Sequence, residues 1–339
     1  MRSQASDVQR TAVSSLNKPS RALALWLSML PAVASAHHSI AVFYDRTTPG
    51  ELEGEVTGVF WRNPHIRFRM NVLNDAGQKE VWTLEAADIN SLARGGIDSA
   101  PMAVGDRITV RGWLSSHGRN ALFVNRAVLA DGQEIVMGFE RRVQDTDAAD
   151  AAAAERLARG IYRVWSIGQY PQTTASYTDE ALATRAEWDP YGDDTALQCI
   201  PQGMPGIMVN PYPIEFLDAG DELTLRVEEW DTVRTIHLNG DQPPETLSRL
   251  GYSRGRWEDN VLVVETSGID WIYFDDIGTP KTDAMEVVER FTLSEDNERL
   301  DYSATITDPA IFTEPAHFNG HWTWVPGEVV KPFDCANPG

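Results

Sequence analysis

The sequence predicts a mainly β protein in which two unequal antiparallel barrels follow an export signal. Three observations predict it. Apolar residues recur with period two in run after run, the spacing of strands with one buried face. Polar clusters such as Asn74-Asp75-Ala76-Gly77, Glu258-Asp259-Asn260 and Asp296-Asn297 separate the runs and tolerate the left-handed backbone of tight turns. Helix-favouring composition gathers in one Ala-rich stretch, residues 139–160, which divides the chain into a shorter and a longer half. A length of 339 residues fits two domains, each able to bury a core.

Residues 1–36 read as a secretory signal. Arg10, Lys18 and Arg21 form a basic start, 22–33 a short apolar run, and Ala34-Ser35-Ala36 a small-x-small cleavage site. The run is short for a membrane span, and no later run approaches the ~20 residues a span needs. The mature chain is expected to be soluble, periplasmic or secreted. The whole chain carries −21; residues 1–36 are net +3, so the remainder carries −24. Such a surface repels phosphate backbones and argues against nucleic acid as a partner. Cys199 and Cys335 are the two cysteines. In an oxidising compartment they are expected to form one disulfide, with a loop-entropy ceiling of ~4–5 kcal/mol for so long a closure; two unpaired thiols are the competing reading.

The first domain is expected over 37–138. Strands are read at 52–60, 66–70, 80–84, 107–114 and 121–129, with a short helix at 89–94 ended by Gly95-Gly96. Strands in this number around one inserted helix suit a small, partly open barrel of OB type. Cleavage after Ala36 makes His37 the new terminus, followed by His38. The α-amine and imidazoles there have the ligand chemistry that copper favours, with His65 a third ligand if the chain folds back. The competing reading is a solvated end and an ordinary strand-start histidine.

Ala36-His37-His38-Ser39, Tyr44-Asp45, Leu52-Glu53-Gly54-Glu55-Val56, Trp61-Arg62-Asn63-Pro64-His65 and Val104-Gly105-Asp106 with Val110-Arg111-Gly112 carry a resemblance. Over about 37–137 the chain resembles a family of exported bacterial proteins of unknown function. The resemblance implies address and fold, and no chemistry.

The second domain is expected over 161–339. Gly160 ends the linker, and Gly160-Ile161-Tyr162-Arg163-Val164-Trp165 resembles the opening of lipocalin-like (calycin-type) barrels. A helix is read at 179–188 and an extended, proline-rich wall at 199–216, which Pro keeps out of regular pairing. Hairpins are expected at 223–238, 251–267 and 286–307, and a last strand at 321–325. The hairpin at 251–267 organises this half: Val261 to Val264 is a continuous apolar run, as in a strand buried on both faces. Eight to ten hairpin-linked strands suggest a closed up-and-down barrel with an interior cavity.

This half resembles the C-terminal region of many uncharacterised exported bacterial proteins through Cys199-Ile200-Pro201, Gly203-Met204-Pro205, Pro211-Tyr212-Pro213-Ile214-Glu215-Phe216, Gly255-Arg256-Trp257-Glu258 and Val288-Glu289-Arg290-Phe291. Tyr252 and Lys281 stand where the resembling proteins carry His, so no role of those His is implied here.

Tyr212, Glu215, Arg234, Arg256, Trp257, Trp271 and Tyr273 are the candidate ligand-binding residues, expected to face the cavity or its lid, with an Arg256–Glu289 ion pair as support. A loop at 270–276 combines Asp270, Asp275 and Asp276 with Trp271, Tyr273 and Phe274, where a lid would sit. Burial among aromatics raises a carboxyl's pKa and fits it for proton transfer. Asp270 or Asp275 with His237 or His317 is the candidate catalytic set, against the plainer reading of solvated acids and structural histidines. No serine-hydrolase elbow, Gly-rich phosphate loop, H-E-x-x-H or C-x-x-C-H occurs. The reading is an exported protein binding a small, partly apolar ligand in its second barrel, copper being the one cofactor considered. The alternative is a cofactor-independent lyase or isomerase in the same cavity.

Overall fold

The structure, a computed structural model, describes residues 40–139, 160–239 and 246–336. The export signal, His37, His38 and all but the ends of the Ala-rich linker lie outside the described residues.

The first half opens with a single turn, α1 (Ile40–Phe43), and continues through β1 (Tyr44–Phe60), β2 (Arg67–Leu73) and β3 (Lys79–Glu85). Helix α2 (Ile89–Arg94) then precedes β4 (Arg107–Ser115), β5 (Ala121–Val128) and β6 (Glu134–Val136). β1 pairs antiparallel with β2 and β4, and β4 with β5. A parallel pairing from Thr83↔Ala121 to Glu85↔Phe123 joins β3 to β5. The sheet thus closes in the order β1-β2-β3-β5-β4, with β6 outside the ring. At Gly112, an added Cβ would fall 1.7 Å from the Phe123 carbonyl oxygen, so the β4–β5 contact requires glycine there. Inward residues Val56, Phe68, Met70, Leu84, Val110 and Leu122 form the core. Asp88 caps α2 by accepting from the Ser91 N–H at 2.8 Å, and Gly95 ends it.

The second half is a closed ring of nine strands. They are β7 (Val164–Tyr177), β8 (Ile214–Asp218), β9 (Glu222–Val227), β10 (Thr232–His237), β11 (Tyr252–Glu258), β12 (Val261–Ser267), β13 (Glu286–Leu293), β14 (Arg299–Thr307) and β15 (Phe312–Thr323). Helix α3 (Asp179–Ala186) follows β7, its N-terminus capped by Thr178. The ring departs from the expected up-and-down pattern at one seam. β10 and β11 are parallel, through Ile236↔Ser253 and His237↔Arg254, because the chain returns to the end where β10 starts before entering β11. The 251–267 hairpin forms with Glu258 opposite Val261, and Asp259 takes the left-handed conformation its turn requires. Leu262, Val263 and Val264 are all fully buried. Val263 lies between Arg256 and Arg290 in the ladder, where long aliphatic stems cover an outward-facing valine.

Aromatic side chains occupy the barrel axis. Phe291 packs edge-on to Phe216 (5.2 Å between centroids) and beside Tyr302 (5.1 Å), and Trp322 packs on Tyr302 (5.2 Å). Among them lies a buried ion pair. Arg234 donates to both carboxylate oxygens of Glu289, to Ser253 Oγ (2.9 Å) and to Thr266 Oγ1 (2.7 Å), while the Tyr302 hydroxyl donates to Glu289 (3.1 Å). The expected Arg256–Glu289 pair is corrected by this register. Glu289 points inward and Arg256 outward, where it meets Glu258 and Glu265.

The C-terminal segment straps the two halves together. Cys335 forms the expected disulfide with Cys199 and also bridges to Asn63 of the first barrel. Glu228, fully buried in the β9–β10 turn, accepts from both terminal nitrogens of Arg94, from Asn90 (3.1 Å) and from the Lys331 backbone N–H (2.8 Å). Tyr191, between α3 and β8, packs against Phe43 (5.0 Å) and beneath the Arg119 guanidinium (3.6 Å).

Replacing Arg234 by Leu leaves the Glu289 carboxylate buried without its counter-charge. Urea unfolding followed by tryptophan fluorescence is expected to show a loss of about 3–5 kcal/mol, most of it restored in the double variant Arg234→Leu/Glu289→Met.

Candidate functional site

The predicted site residues do not converge on the barrel axis. Arg234 is interior, but its guanidinium is committed to Glu289. Tyr212 is buried edge-on to Phe333 (5.3 Å), outside the ring of axial aromatics. Glu215 pairs with Arg226 across the β8–β9 ladder, Arg256 with outer-face acids, and Trp257 is 41% exposed. The predicted acid–base set is likewise dispersed. Asp270 is exposed. Asp275 is buried and folds its own loop, accepting from Thr279 N–H (2.9 Å), Thr279 Oγ1 (2.6 Å) and Ile277 N–H (3.2 Å). His237 sits 2.8 Å from Glu222 and stacks on Tyr252, while His317 is exposed and meets Thr305. Each has a different partner, so the expected carboxylate–histidine dyad is not formed. His65 is enclosed by Phe123 and Phe139, with Nδ1 3.0 Å from the Ala86 carbonyl oxygen. Burial pushes its pKa down to about 4. It is a core histidine of the first barrel, and among the described residues no three His, Cys, Asp or Glu side chains are grouped to hold a metal.

Trp271, Tyr273 and Asp275 do come together, at the end of the barrel where β10 and β11 begin. Here they meet residues the sequence reading had not assigned to a site: Asp194, Glu229, Trp188 and Trp230, together with Asp276. Glu229 and Trp230 follow Glu228 in the β9–β10 turn. Trp230 and Asp231 are consecutive left-handed non-glycine residues (φ 59° and 47°), a strained conformation held by what the turn binds on either side. Glu228 faces the first barrel, Asp231 accepts from the Phe333 N–H (3.0 Å), and Glu229 turns into the pocket to accept from Asn210. Gly278 (φ +79°) lies against Trp188, where an added Cβ would be 2.2 Å from the indole Cγ.

The carboxyls of this pocket are electrostatically frustrated. Burial, reinforced by the charge of Asp88 and opposed by Asn210 and Arg249, pushes Glu229 up to about 8. Burial, with Glu85 adding to it, pushes Asp194 up to about 6. Asp276 is pushed well above the usual carboxylate range by burial first, then by Asp275, Asp194 and Glu229. Both of its oxygens are sealed from solvent with no hydrogen-bond partner among the described residues. The free space is about 20 Å³, room for one water-sized group.

A larger cavity, about 330 Å³, lies between the halves. Helix α2 and residues 138–139 supply one wall, β7 and the 211–213 prolines a second, and the strap at 325–331 a third. Arg94, Ser166, Tyr170, Glu328 and Lys331 bring polar groups to a lining otherwise set by Phe139, Ile167, prolines and valines. Arg94 Nε donates to Glu328 (2.9 Å), and Ser166 Oγ donates to the other Glu328 oxygen (3.2 Å), which fixes the strap over β7.

Residues 26–122 match a family of unknown function (DUF6152). The match covers the first four strands and α2 and reaches only the start of β5; the second barrel lies beyond it. No curated protein matches the chain.

The buried acids make stability pH-dependent. A carboxyl whose folded pKa is raised contributes fully below its unfolded value and loses that contribution as pH rises through the folded one. For Glu229 the window runs from 4.5 to about 8. Wild-type protein is expected to lose a few kcal/mol more across this window than Glu229→Gln, measured as the difference between their urea midpoints from pH 5 to 8.5. His65 opposes the trend below pH 6.5, and equally in both proteins.

Proposed function

We propose that the protein is an exported binding protein that holds a small, partly apolar molecule in the cleft between its two barrels. The observation that carries this reading is the contrast in free space. Inside the second barrel the buried rings of Phe216, Phe291, Tyr302 and Trp322 pack against one another, whereas the cleft offers about 330 Å³. Ligand pockets begin at about this size, favour boundaries between domains, and combine apolar walls with a few polar groups. Tyr170, Phe139 and the prolines supply apolar area, Lys331 supplies donors, and the Ser166 hydroxyl, whose proton goes to Glu328, supplies an acceptor at its edge. Export is supported by the reading of residues 1–36, and an oxidising destination by the Cys199–Cys335 bond. The 37–138 and 161–339 segments are the two domains of this reading, and their boundary is the binding element.

Native mass spectrometry of full-length protein purified from its own export compartment is expected to show a co-purifying mass that is retained in Trp257→Phe. The mass is expected to be lost in Ala93→Trp, which fills the cleft from helix α2. Retention of the mass in Ala93→Trp removes the cleft as the site.

A further inference from the structure

The acidic tryptophan pocket at the barrel end is separate from the cleft, and the proposed function leaves it unused. Its physical difficulty is plain. Asp194 is 5% exposed, and one of its oxygens has no hydrogen-bond partner among the described residues; both oxygens of Asp276 are in the same state. Glu229, which accepts from Asn210, is 2% exposed and shares the pocket with these unpartnered oxygens. Buried carboxylates without partners are costly, so each must either hold a proton or face a positive charge. Among the described residues, no Arg or Lys bonds to either oxygen of Asp276 or to the unpartnered oxygen of Asp194. Arg249 acts on Glu229, but its guanidinium donates to the Gln202 carbonyl and to Thr232 Oγ1. Arg67 acts on Asp194, and Arg185 acts on Asp275. The largest charge influences on Asp276 are those of Asp275, Asp194 and Glu229, all acids.

The aromatic wall narrows the class of cation. Trp188, Trp230 and Trp271 all line the pocket. Indole attracts weakly hydrated organic cations, worth roughly 0.5–2 kcal/mol per ring depending on desolvation. A hard metal ion would need several convergent oxygens, and among the described residues no such group forms. The free space of about 20 Å³ matches one ammonium-sized head. Ile200, which lines the pocket and is 41% exposed, gives an attached alkyl chain an apolar path outward.

We propose that Asp276, Asp194 and Glu229, walled by Trp188, Trp230 and Trp271, form a binding site for a small organic ammonium ion. The head group takes the place of the protons on the carboxyls, so binding at neutral pH releases protons to solvent. Protons compete with the ligand: affinity rises with pH as Glu229 and Asp194 ionise, with Asp275, Asp88, Arg249, Arg185 and Arg67 setting the background field.

The test is calorimetric titration of the full chain with ethylammonium chloride at pH 7.5, against sodium chloride at equal ionic strength. Two buffers of different ionisation enthalpy report the protons. The expected result is saturable ethylammonium binding, proton release that differs measurably between the buffers, no saturable heat with sodium, and at least tenfold weaker binding in Asp276→Asn. Tryptophan fluorescence changes on binding, and Trp230→Phe retains part of the affinity. The proposal is overturned if ethylammonium gives no saturable heat, if sodium binds equally well, or if the folded Asp276→Asn protein binds as tightly as wild type. Should Asp276→Asn not fold, absence of proton release in the wild-type titration overturns it alone.

Discussion

The two barrels depend on one buried carboxylate. Glu228 has no solvent exposure, and the donors that reach it come from α2 of the first barrel and from the C-terminal strap. A carboxylate taken out of water is tolerated only when its lone pairs are filled, and removing one partner of such a pair typically costs about 3–5 kcal/mol. Both halves and the strap are therefore ordered around the same point. The turn that carries Glu228 continues into Glu229, Trp230 and Asp231, so the requirement that joins the barrels also fixes one wall of the acidic pocket. Through Arg94 and Glu328 it fixes the strap that closes the cleft. The two cavities are products of the same anchoring.

The strand pattern was legible because its cause is local. Period-two alternation and turn residues located most strands, and Gly95-Gly96 marked the end of α2. β6 escaped that reading, and the wall expected to stay unpaired over 199–216 gives its last residues to β8, which pairs with β7 and β9. The Cys199–Cys335 bond followed from compartment and parity. The parallel β10–β11 seam was not legible, since nothing within either strand distinguishes a hairpin from a return to the same end. The lengths of β7 and β15 were also underestimated. Pro171 and Asn319-Gly320 suggest breaks, yet the strands continue through register shifts at those points.

The sites were less legible than the fold. Trp271, Tyr273 and Asp275, neighbours in sequence, line one pocket, while Asp270 of the same loop stays outside it. Asp194 and Glu229 look like turn acids, and solvent is the ordinary destination of such residues. Only tertiary packing brings them beneath Trp188 and Trp230. Conversely, Arg234 and Glu289 looked like cavity-lining polar groups. They satisfy each other among the buried aromatic residues of the barrel core.

The parallel seam has a consequence for access. Because the chain must come back to the end where β10 starts, residues 248–251 lie across that rim. There the Arg249 carbonyl accepts from Met204 N–H and the Ser248 carbonyl from Asp270 N–H, both at 2.9 Å. Main-chain bonds thus stitch this mouth shut. Anything approaching down the barrel axis from this end would have to unpick that backbone pairing.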